Sequence, residues 1–520
     1  MSDHKGSVLW VDDEIELLRP HILFLRDKGY SVTTLTNGED AINLIKTQSP
    51  DLVLLDEMMP GIGGLETLGK IKEYNPTLPV VLVTKNEEES LMEDAIGQKI
   101  SDYLTKPINP SQILLVVKKF LEGKKIVQSK TAQDYIQEFN SISMQLMNPM
   151  DLKDWFGLYD KLVTWEMELD QHRELGLQQT MEDQRRECNQ HFSKFVEKHY
   201  RDWIESEDAV LSPHVVDKYL LPHLREDTAV FFFVIDCMRY DQWLVMEQHL
   251  REYFTITKDF YLGIFPSATP YARNAIFSGF YPSDIEKVFP DLWASHNDDD
   301  YSMNKYEKQF LEKLLERRRV KLRHELKYIK IIDPEYGKQI EANITSYMHN
   351  QLTAIVVNFV DMLAHSRSDY PILKEIAPDE SAYRSLTNSW FIHSSLFNMF
   401  KTLSRQKNVK IVVTTDHGSV RCLRGSKVLG DRETSTNLRY KFGRNVKIDS
   451  KQAMHIKNPL EYKLPRRGVT INYVIAKEDY YFVYPTDYNK YLTMYRDSFQ
   501  HGGISLEELI LPVATLEPKQ

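Results

Sequence analysis

Five times in this sequence an apolar, β-branched run stops on an aspartate. SVLWV runs into Asp12 and Asp13, DLVLL into Asp56, AVFFFVI into Asp236, TAIVVNFV into Asp361, and VKIVVTT into Asp416. Short runs of this kind, without polar alternation, read as strands buried on both faces. In open α/β sheets the functional groups gather beyond the C-terminal ends of such strands. Each aspartate therefore stands where a site is built. With 520 residues the chain is too long for one core, and its length implies about three domains. We read these as residues 1–121, 122–205 and 206–520.

In the first segment SVLWV, SVTTL, DLVLLD, PVVLVT and DYLTK are the expected strands. The stretches between and after them, including GEDAINLIKTQ, EEESLMEDAIGQ and PSQILLVVKKFLEG, carry helical spacing. The pattern is (βα)5, which predicts a doubly wound parallel sheet. Clustered carboxylates at Asp12, Asp13 and Asp56 suit one hard Mg2+ ion. A carboxylate beside a cation and a lysine can accept a phosphoryl group. The ordered set DD, LDEMMPG, VT and KP resembles the response-regulator receiver family. That resemblance implies Asp56 as phosphoacceptor and Mg2+ on Asp12, Asp13, Asp56 and the Met58 carbonyl. It also implies Thr84 and Lys106 as readers of the phosphoryl group, Tyr103 as the aromatic switch, a cis Lys106–Pro107 bond, and pairing through about residues 87–121. Lys85 departs from the small residue usual after the threonine.

From Gly123 the chain turns polar and helix-favouring. TAQDYIQEFNSISMQLM, MDLKDWFGLYDKLVTWEMELDQ and QTMEDQRRECNQHFSKFVEKHYRDWI repeat apolar residues at helical spacing. Three amphipathic helices make a small bundle, with Trp155, Phe156, Trp165, Phe192, Phe195, Tyr200 and Trp203 as its expected core. No catalytic motif lies here, so the segment reads as a connector.

In the last segment Asp236, Asp361 and Asp416 close the buried runs. Asp361 and His365 are four apart, so one helical turn presents both to the same ion. His417 follows Asp416, and His501 precedes Gly502-Gly503, which lets the backbone pass close to a metal. Carboxylate and imidazole ligands around a hydroxyl are the equipment with which two zinc ions cut a phosphate ester. The hydroxyl is expected at Thr269, before an amphipathic helix, although Ser267 lies two residues away. VIDCMRYD, FPSATPYARNAIFSG, VNFVDMLAH, TTDHG and QHGGISLEELILPVA resemble the PglZ branch of the alkaline-phosphatase superfamily. Carried over by position, one Zn2+ takes Asp236, Asp416 and His417, and the other takes Asp361, His365 and His501. Thr269 is then the nucleophile between them. Arg273 and Asn274 are expected to contact the phosphoryl group. Residues from Pro282 to about Ser346 read as a helical cap. A basic stretch from Arg421 to Lys447, with Tyr440 and Phe442 interleaved, reads either as a loop that holds a polyanion or as a solvated loop.

A net charge of −10 argues against wholesale nucleic-acid coating. MSDHKGSVLWVDDE lacks the apolar core of a secretory signal, and no run reaches the length of a membrane span. Three scattered cysteines form no paired spacing. A cytoplasmic protein without membrane insertion is expected. The fold class is multidomain α/β: a flavodoxin-like receiver, a small helical bundle and an alkaline-phosphatase-like domain. That order resembles a family of response regulators controlling type IX secretion. It implies a sensor histidine kinase or small phosphodonor, a phosphorylation-dependent homodimer, a sigma factor as partner, and oligonucleotides or cyclic nucleotides as substrates of a zinc phosphodiesterase. No terminal helix-turn-helix follows, so no direct DNA-binding domain is expected. The competing class is a regulatory scaffold with structural zinc that binds a sigma factor or secretion component.

Overall fold

Alternation within each buried strand sets up both halves of this protein. The computed structural model describes residues 5–85, 96–97, 99–206, 208–224, 227–293, 304–369, 371–430, 435, 437–466, 468 and 470–519. They form two compact units, Met1–Glu138 and Phe139–Gln520. The boundary falls inside the helix Gly123–Leu146.

In the first unit β1 (Ser7–Val11), β2 (Ser31–Leu35), β3 (Leu52–Asp56), β4 (Val80–Thr84) and β5 (Asp102–Thr105) form an all-parallel sheet in the order β2-β1-β3-β4-β5. Successive side chains point to opposite faces, so Val8, Trp10, Leu52, Leu54, Val81 and Val83 enter one apolar cluster. Leu9, Val11, Val53, Leu55, Val80 and Leu82 enter the other. Helices cover both clusters. One starts at Gly38 behind the Asn37 cap and another at Pro110 behind Asn109, whose side chain accepts from Ser111 N–H. Pro at the first helical position sacrifices no hydrogen bond there. Lys106–Pro107 is cis, as expected. The helix anticipated at residues 87–98 falls almost wholly outside the described residues.

The second unit is built on a six-stranded mixed sheet. β6 (Ala229–Ile235), β7 (Phe254–Leu262), β8 (Lys327–Ile331), β9 (Leu352–Val357) and β10 (Val409–Thr414) are joined by the C-terminal strand Ile510–Pro518, which lies between β7 and β10. β10, β6, β9 and β8 run parallel, so the ends carrying Asp236, Asp361 and Asp416 emerge on one edge. Phe232 meets Phe277 of the helix Thr269–Ser278 on one face, and Phe233 meets Phe400 on the other. The region from Pro282 to Ser346 is more than the expected cap, because β8 lies within it and completes the sheet. The expectation missed this strand because KYIKI is short and flanked by charge, so periodicity alone does not separate it from helix.

The helices Leu152–Gln171 and Gln178–Ser206 belong to this second unit. Asp151 caps the first in a reciprocal capping box with Asp154. Trp155 meets Phe192 edge-on, as a bundle core requires. Other aromatics assigned to that core face the body of the six-stranded sheet instead: Phe156 packs on Phe260, and Tyr200 stacks on Phe265 at 3.7 Å. An ion network joins the same surfaces. Arg185 reaches Glu166 at 3.2 Å and Glu380 at 3.4 Å, while Arg384 reaches Glu166 at 2.8 Å and Asp241 at 2.9 Å. Arg239, 2% exposed, pairs with both Asp241 and Glu380. Breaking a buried pair strands the remaining charge. Glu380→Gln is therefore expected to destabilise the second unit by about 3–5 kcal/mol, as read from urea denaturation followed by tryptophan fluorescence.

Candidate bimetal and phosphoacceptor sites

Six of the expected ligands come together as two triads. Asp236, Asp416 and His417 offer ligand atoms within 4.8 Å of one another, and Asp361, His365 and His501 do the same. Local structure explains the convergence. Asp236 ends β6, and Cys237 turns the chain with a φ of 63°. That turn directs the Cys237 N–H to Asp416 Oδ1 at 3.4 Å and the Met238 N–H to Thr415 Oγ1 at 3.0 Å. Asp361 and His365 share a face of the helix Phe359–Asp369. His417 and His501 stack with ring centroids 4.3 Å apart.

The protonation states suit metal ligation. His417 Nδ1 lies 3.1 Å from the Gly418 carbonyl, which only accepts, so Nδ1 carries the proton and bare Nε2 faces the site. Burial lowers the pKa of His417, and burial beside His417 pushes His501 well below the usual histidine value. Both imidazoles are thus held neutral. Burial pushes the Asp236 carboxyl up to about 7 despite Arg273, and burial also raises Asp416. Burial acts to raise Asp361 as well, but the hydrogen bond from His365 and the neighbouring imidazoles hold it below the carboxylate range. Asp416 Oδ2 is buried with no hydrogen-bond partner among the described residues, and Asp361 Oδ1 faces His365 Nε2 at 3.3 Å and His501 Nε2 at 3.7 Å. Such atoms and this donor set fit two divalent cations.

Thr269 opens the helix Thr269–Ser278, where the helix dipole favours negative charge. Its Oγ1 lies 3.0 Å from His417 Nε2 and 3.4 Å from Asp236 Oδ1. Ser267 is placed differently: its hydroxyl donates to the Gly503 carbonyl at 2.9 Å and accepts from Gly502 N–H at 3.0 Å. The structure thereby separates two hydroxyls that spacing left open. One faces the triads, and the other ties down the loop after His501. A cavity of about 220 Å3 opens here, lined by Asp236, Thr269, Arg273, Asp361, His365 and His501, among others.

Several expectations need correction. Arg273 lines the cavity, as a phosphoryl contact needs, but it is also buried against carboxylates, 3.0 Å from Asp236 and 2.6 Å from Glu307, so it braces a ligand as well. Asn274 donates to the Pro270 carbonyl of its own helix turn and does not line the cavity. Gly503 makes room for protein: a Cβ there would lie 2.2 Å from Arg439 Nη2. At Gly418 a Cβ would lie 1.9 Å from the Glu507 carbonyl, so only glycine fits beside His417. Part of the basic stretch is engaged within the fold, while Lys427, Arg444 and Lys447 stay exposed. Arg421 pairs with Asp497, Arg424 with Glu478 and Asp479, and fully buried Arg439 with Glu508 at 2.5 Å. These cations are spent inside a lobe of short strands that includes Tyr440–Arg444 and Ile471–Ala476. Arg432 lies outside the described residues. Glu307 was missed, because a glutamate within an amphipathic charged helix gives no signal that it will be buried.

The first unit carries a third cluster, Asp12, Asp13 and Asp56. Lys106 Nζ is 2.8 Å from both Asp12 and Asp56. Burial pushes the Asp56 carboxyl up to about 6 against the lysine's pull. Thr84 Oγ1 donates to Glu57 at 2.8 Å, and Lys85 turns to Glu14 at 3.0 Å. The Tyr103 side chain is half exposed on β5, and Met58 lies two residues beyond Asp56.

Residues 215–516, more than half of the chain, match the family described as BREX system PglZ alkaline phosphatase-like domain. The chain belongs to the PglZ alkaline phosphatase-like family. Residues 8–118 match the response regulator receiver domain, and residues 125–204 match the PorX response regulator linker domain. Receiver, linker and PglZ domain in that order are a PorX-like architecture, and the protein is a response regulator with an alkaline-phosphatase-like domain. The receiver implies a phosphodonor such as a histidine kinase. The curated relatives include the alginate biosynthesis transcriptional regulatory protein AlgB of Pseudomonas putida, 36% identical over 24% of this chain and 28% of that protein. Another is the alkaline phosphatase synthesis transcriptional regulatory protein PhoP of Bacillus subtilis, 31% identical over 23% of this chain and 50% of that one. The chain thus spans half or less of these relatives' own length. Solved structures include a CheY-like receiver protein from Methanospirillum hungatei, at 24% identity and TM-score 0.22, covering 23% of this chain and 96% of that one. The BeF3-activated DrrB receiver domain matches at 33% identity and TM-score 0.21, covering 22% and 97%. No described helix is long and apolar enough to cross a membrane.

The PglZ region also buries a lysine. Lys441 lies 1% exposed, with Nζ donating to the Ser435 carbonyl at 2.9 Å, and burial pushes its pKa down to about 7 from 10.5. Between those values the unfolded chain binds more protons than the folded one, so stability rises with pH. Lys441→Met removes this titration. Its stability gain over the parent should be largest below pH 7 and shrink as pH approaches 10.5, as read from urea midpoints across that range.

Proposed function

We propose that this protein is a two-component response regulator, phosphorylated on Asp56, that controls a zinc-dependent phosphodiesterase. The substrates in this reading are oligonucleotides or cyclic nucleotides, and the process regulated is type IX secretion. The observation that carries the enzymatic part is Thr269 Oγ1 facing Asp236 and His417, beside a second triad of Asp361, His365 and His501. A scaffold with structural zinc needs ligands but no hydroxyl at a helix N-terminus in the same cavity.

Bound at the two triads, zinc ions would supply charge compensation and Lewis-acid polarisation of the phosphate oxygens. The chain's own residues supply the rest. Thr269 Oγ1 gives its proton to solvent and attacks phosphorus in line. The bond to the leaving alkoxide breaks, and that alkoxide takes a proton. Water then cleaves the phosphothreonine and returns the hydroxyl. The helix N-terminus favours the developing alkoxide at Thr269. Arg273 fixes Asp236, the Cys237 and Met238 N–H groups order the Asp236 turn against the Asp416–His417 segment, and Ser267 fixes the loop bearing His501.

In the receiver, Asp56 accepts a phosphoryl group from a sensor kinase's phosphohistidine or a small phosphodonor. Asp12, Asp13, Asp56 and the Met58 carbonyl would hold Mg2+, and Lys106 offsets the added charge. For Thr84 to read the phosphoryl group it must leave Glu57. A phosphorylation-dependent homodimer, a sigma-factor partner and a cytoplasmic location complete the proposal.

Thr269→Ala is expected to abolish cleavage of bis(p-nitrophenyl) phosphate with zinc content unchanged, whereas Ser267→Ala retains measurable turnover. Parent-level turnover in Thr269→Ala rejects the nucleophile. A fully zinc-loaded parent that cleaves neither this diester nor short oligonucleotides or cyclic dinucleotides rejects the enzyme.

A further inference from the structure

The cavity beside Thr269 has a second cation that the sequence motifs do not mark. Lys330 sits near the C-terminal end of β8 and lines the same cavity as Thr269, Asp361 and His501. Its Nζ is 3.4 Å from Glu307 Oε2 and 3.3 Å from the Asn304 carbonyl. Both distances exceed the roughly 2.7–2.9 Å of a tight charge-assisted bond. Glu307, 1% exposed, is shared: its other oxygen holds Arg273 at 2.6 Å, and Tyr328 also donates to it.

This arrangement divides labour between the cations. Arg273 also borders the cavity, but it is 1% exposed and held between Asp236 and Glu307, so its guanidinium orients a ligand. Lys330 meets the same carboxylate at 3.4 Å, and its side chain is 19% exposed and lines the cavity. An ammonium carries three donors. Burial lowers the Lys330 pKa, and an incoming anion would favour its charged form.

We propose that Lys330 is a substrate-contacting residue that takes a non-bridging oxygen of the phosphoryl group held at Thr269, the task that the sequence points to in Arg273. The proposal rests on reading the cavity as a phosphoryl site. It adds that recognition of the phosphate comes from β8, an element outside the family's ligand-bearing segments. Glu307 acts as a positioning residue, setting Arg273 toward Asp236 and Lys330 toward the cavity.

Binding tests this separately from turnover. Full-length Thr269→Ala protein loaded with zinc would be titrated with inorganic phosphate by calorimetry, alone and combined with Lys330→Met or Lys330→Arg. Lys330→Met should weaken phosphate roughly 10- to 100-fold, the range of one hydrogen bond to a charged group. Zinc content and thermal midpoint should stay those of Thr269→Ala, and Lys330→Arg should recover part of the loss. In the Thr269-intact protein, Lys330→Met should raise KM more than it lowers kcat. Unchanged phosphate affinity, no phosphate binding by Thr269→Ala, or loss of zinc in Lys330→Met overturns the proposal. Lys330-dependent phosphate binding in a protein that cleaves no ester upholds it while overturning the phosphodiesterase.

Discussion

Carboxylates crowded into a buried site must be compensated, and this requirement organises the whole C-terminal unit. Asp236 and Asp416 are nearly solvent-free, and burial drives both toward the neutral acid. Arg273 supplies one positive charge to them, and Glu307 in turn balances Arg273. Asp416 Oδ2 remains without a hydrogen-bond partner among the described residues, and Asp361 Oδ1 meets only imidazoles. A site left in this condition is arranged for cations to complete it, and His417 and His501 are kept in the neutral, ligating form by the same burial.

The linker helices enter this balance directly. Asn189, on the helix Gln178–Ser206, donates to Glu507 at 3.0 Å and accepts the Leu506 N–H at 2.8 Å. The Glu507 carbonyl presses against Gly418, next to His417. Arg185 reaches Arg239, three residues beyond Asp236, through their common partner Glu380. The helices Leu152–Gln171 and Gln178–Ser206, read as a connector, are therefore part of the wall that holds the ligand loops. Movement of these helices would be felt at the ligand loops through packed and ion-paired contacts.

How much was legible follows from the kind of signal each residue carries. Asp12, Asp56, Asp236 and Asp416 terminate or directly follow apolar strands, and strand-end placement is a local property. Asp361 and His365 share a helix face because their spacing requires it. Glu307, Lys330 and Cys237 carry no such mark: a charged residue in an amphipathic helix, a lysine in a short edge strand, and a cysteine whose importance is a positive φ. Arg421, Arg424 and Arg439 misled for a related reason. Charge along the chain does not reveal that Asp497, Asp479 and Glu508 will return to neutralise it.

The switch and the two ligand sets came from the resemblance of the motifs to the receiver and PglZ families, while periodicity and the residues at strand ends pointed to a doubly wound domain, a helical segment and an α/β body. Those features depend on neighbours within a few positions, where backbone geometry dictates which side chains share a face. Thr269 was expected to face the triads, and tertiary structure showed what Ser267 does instead, tying down the loop after His501. It also decided that Arg273 is committed to Asp236 and Glu307, and that Lys330 stands at the cavity wall. Each of these depends on which distant segment arrives to claim a donor or a charge. Competition among residues 23 to 236 positions apart is settled by packing, not by spacing.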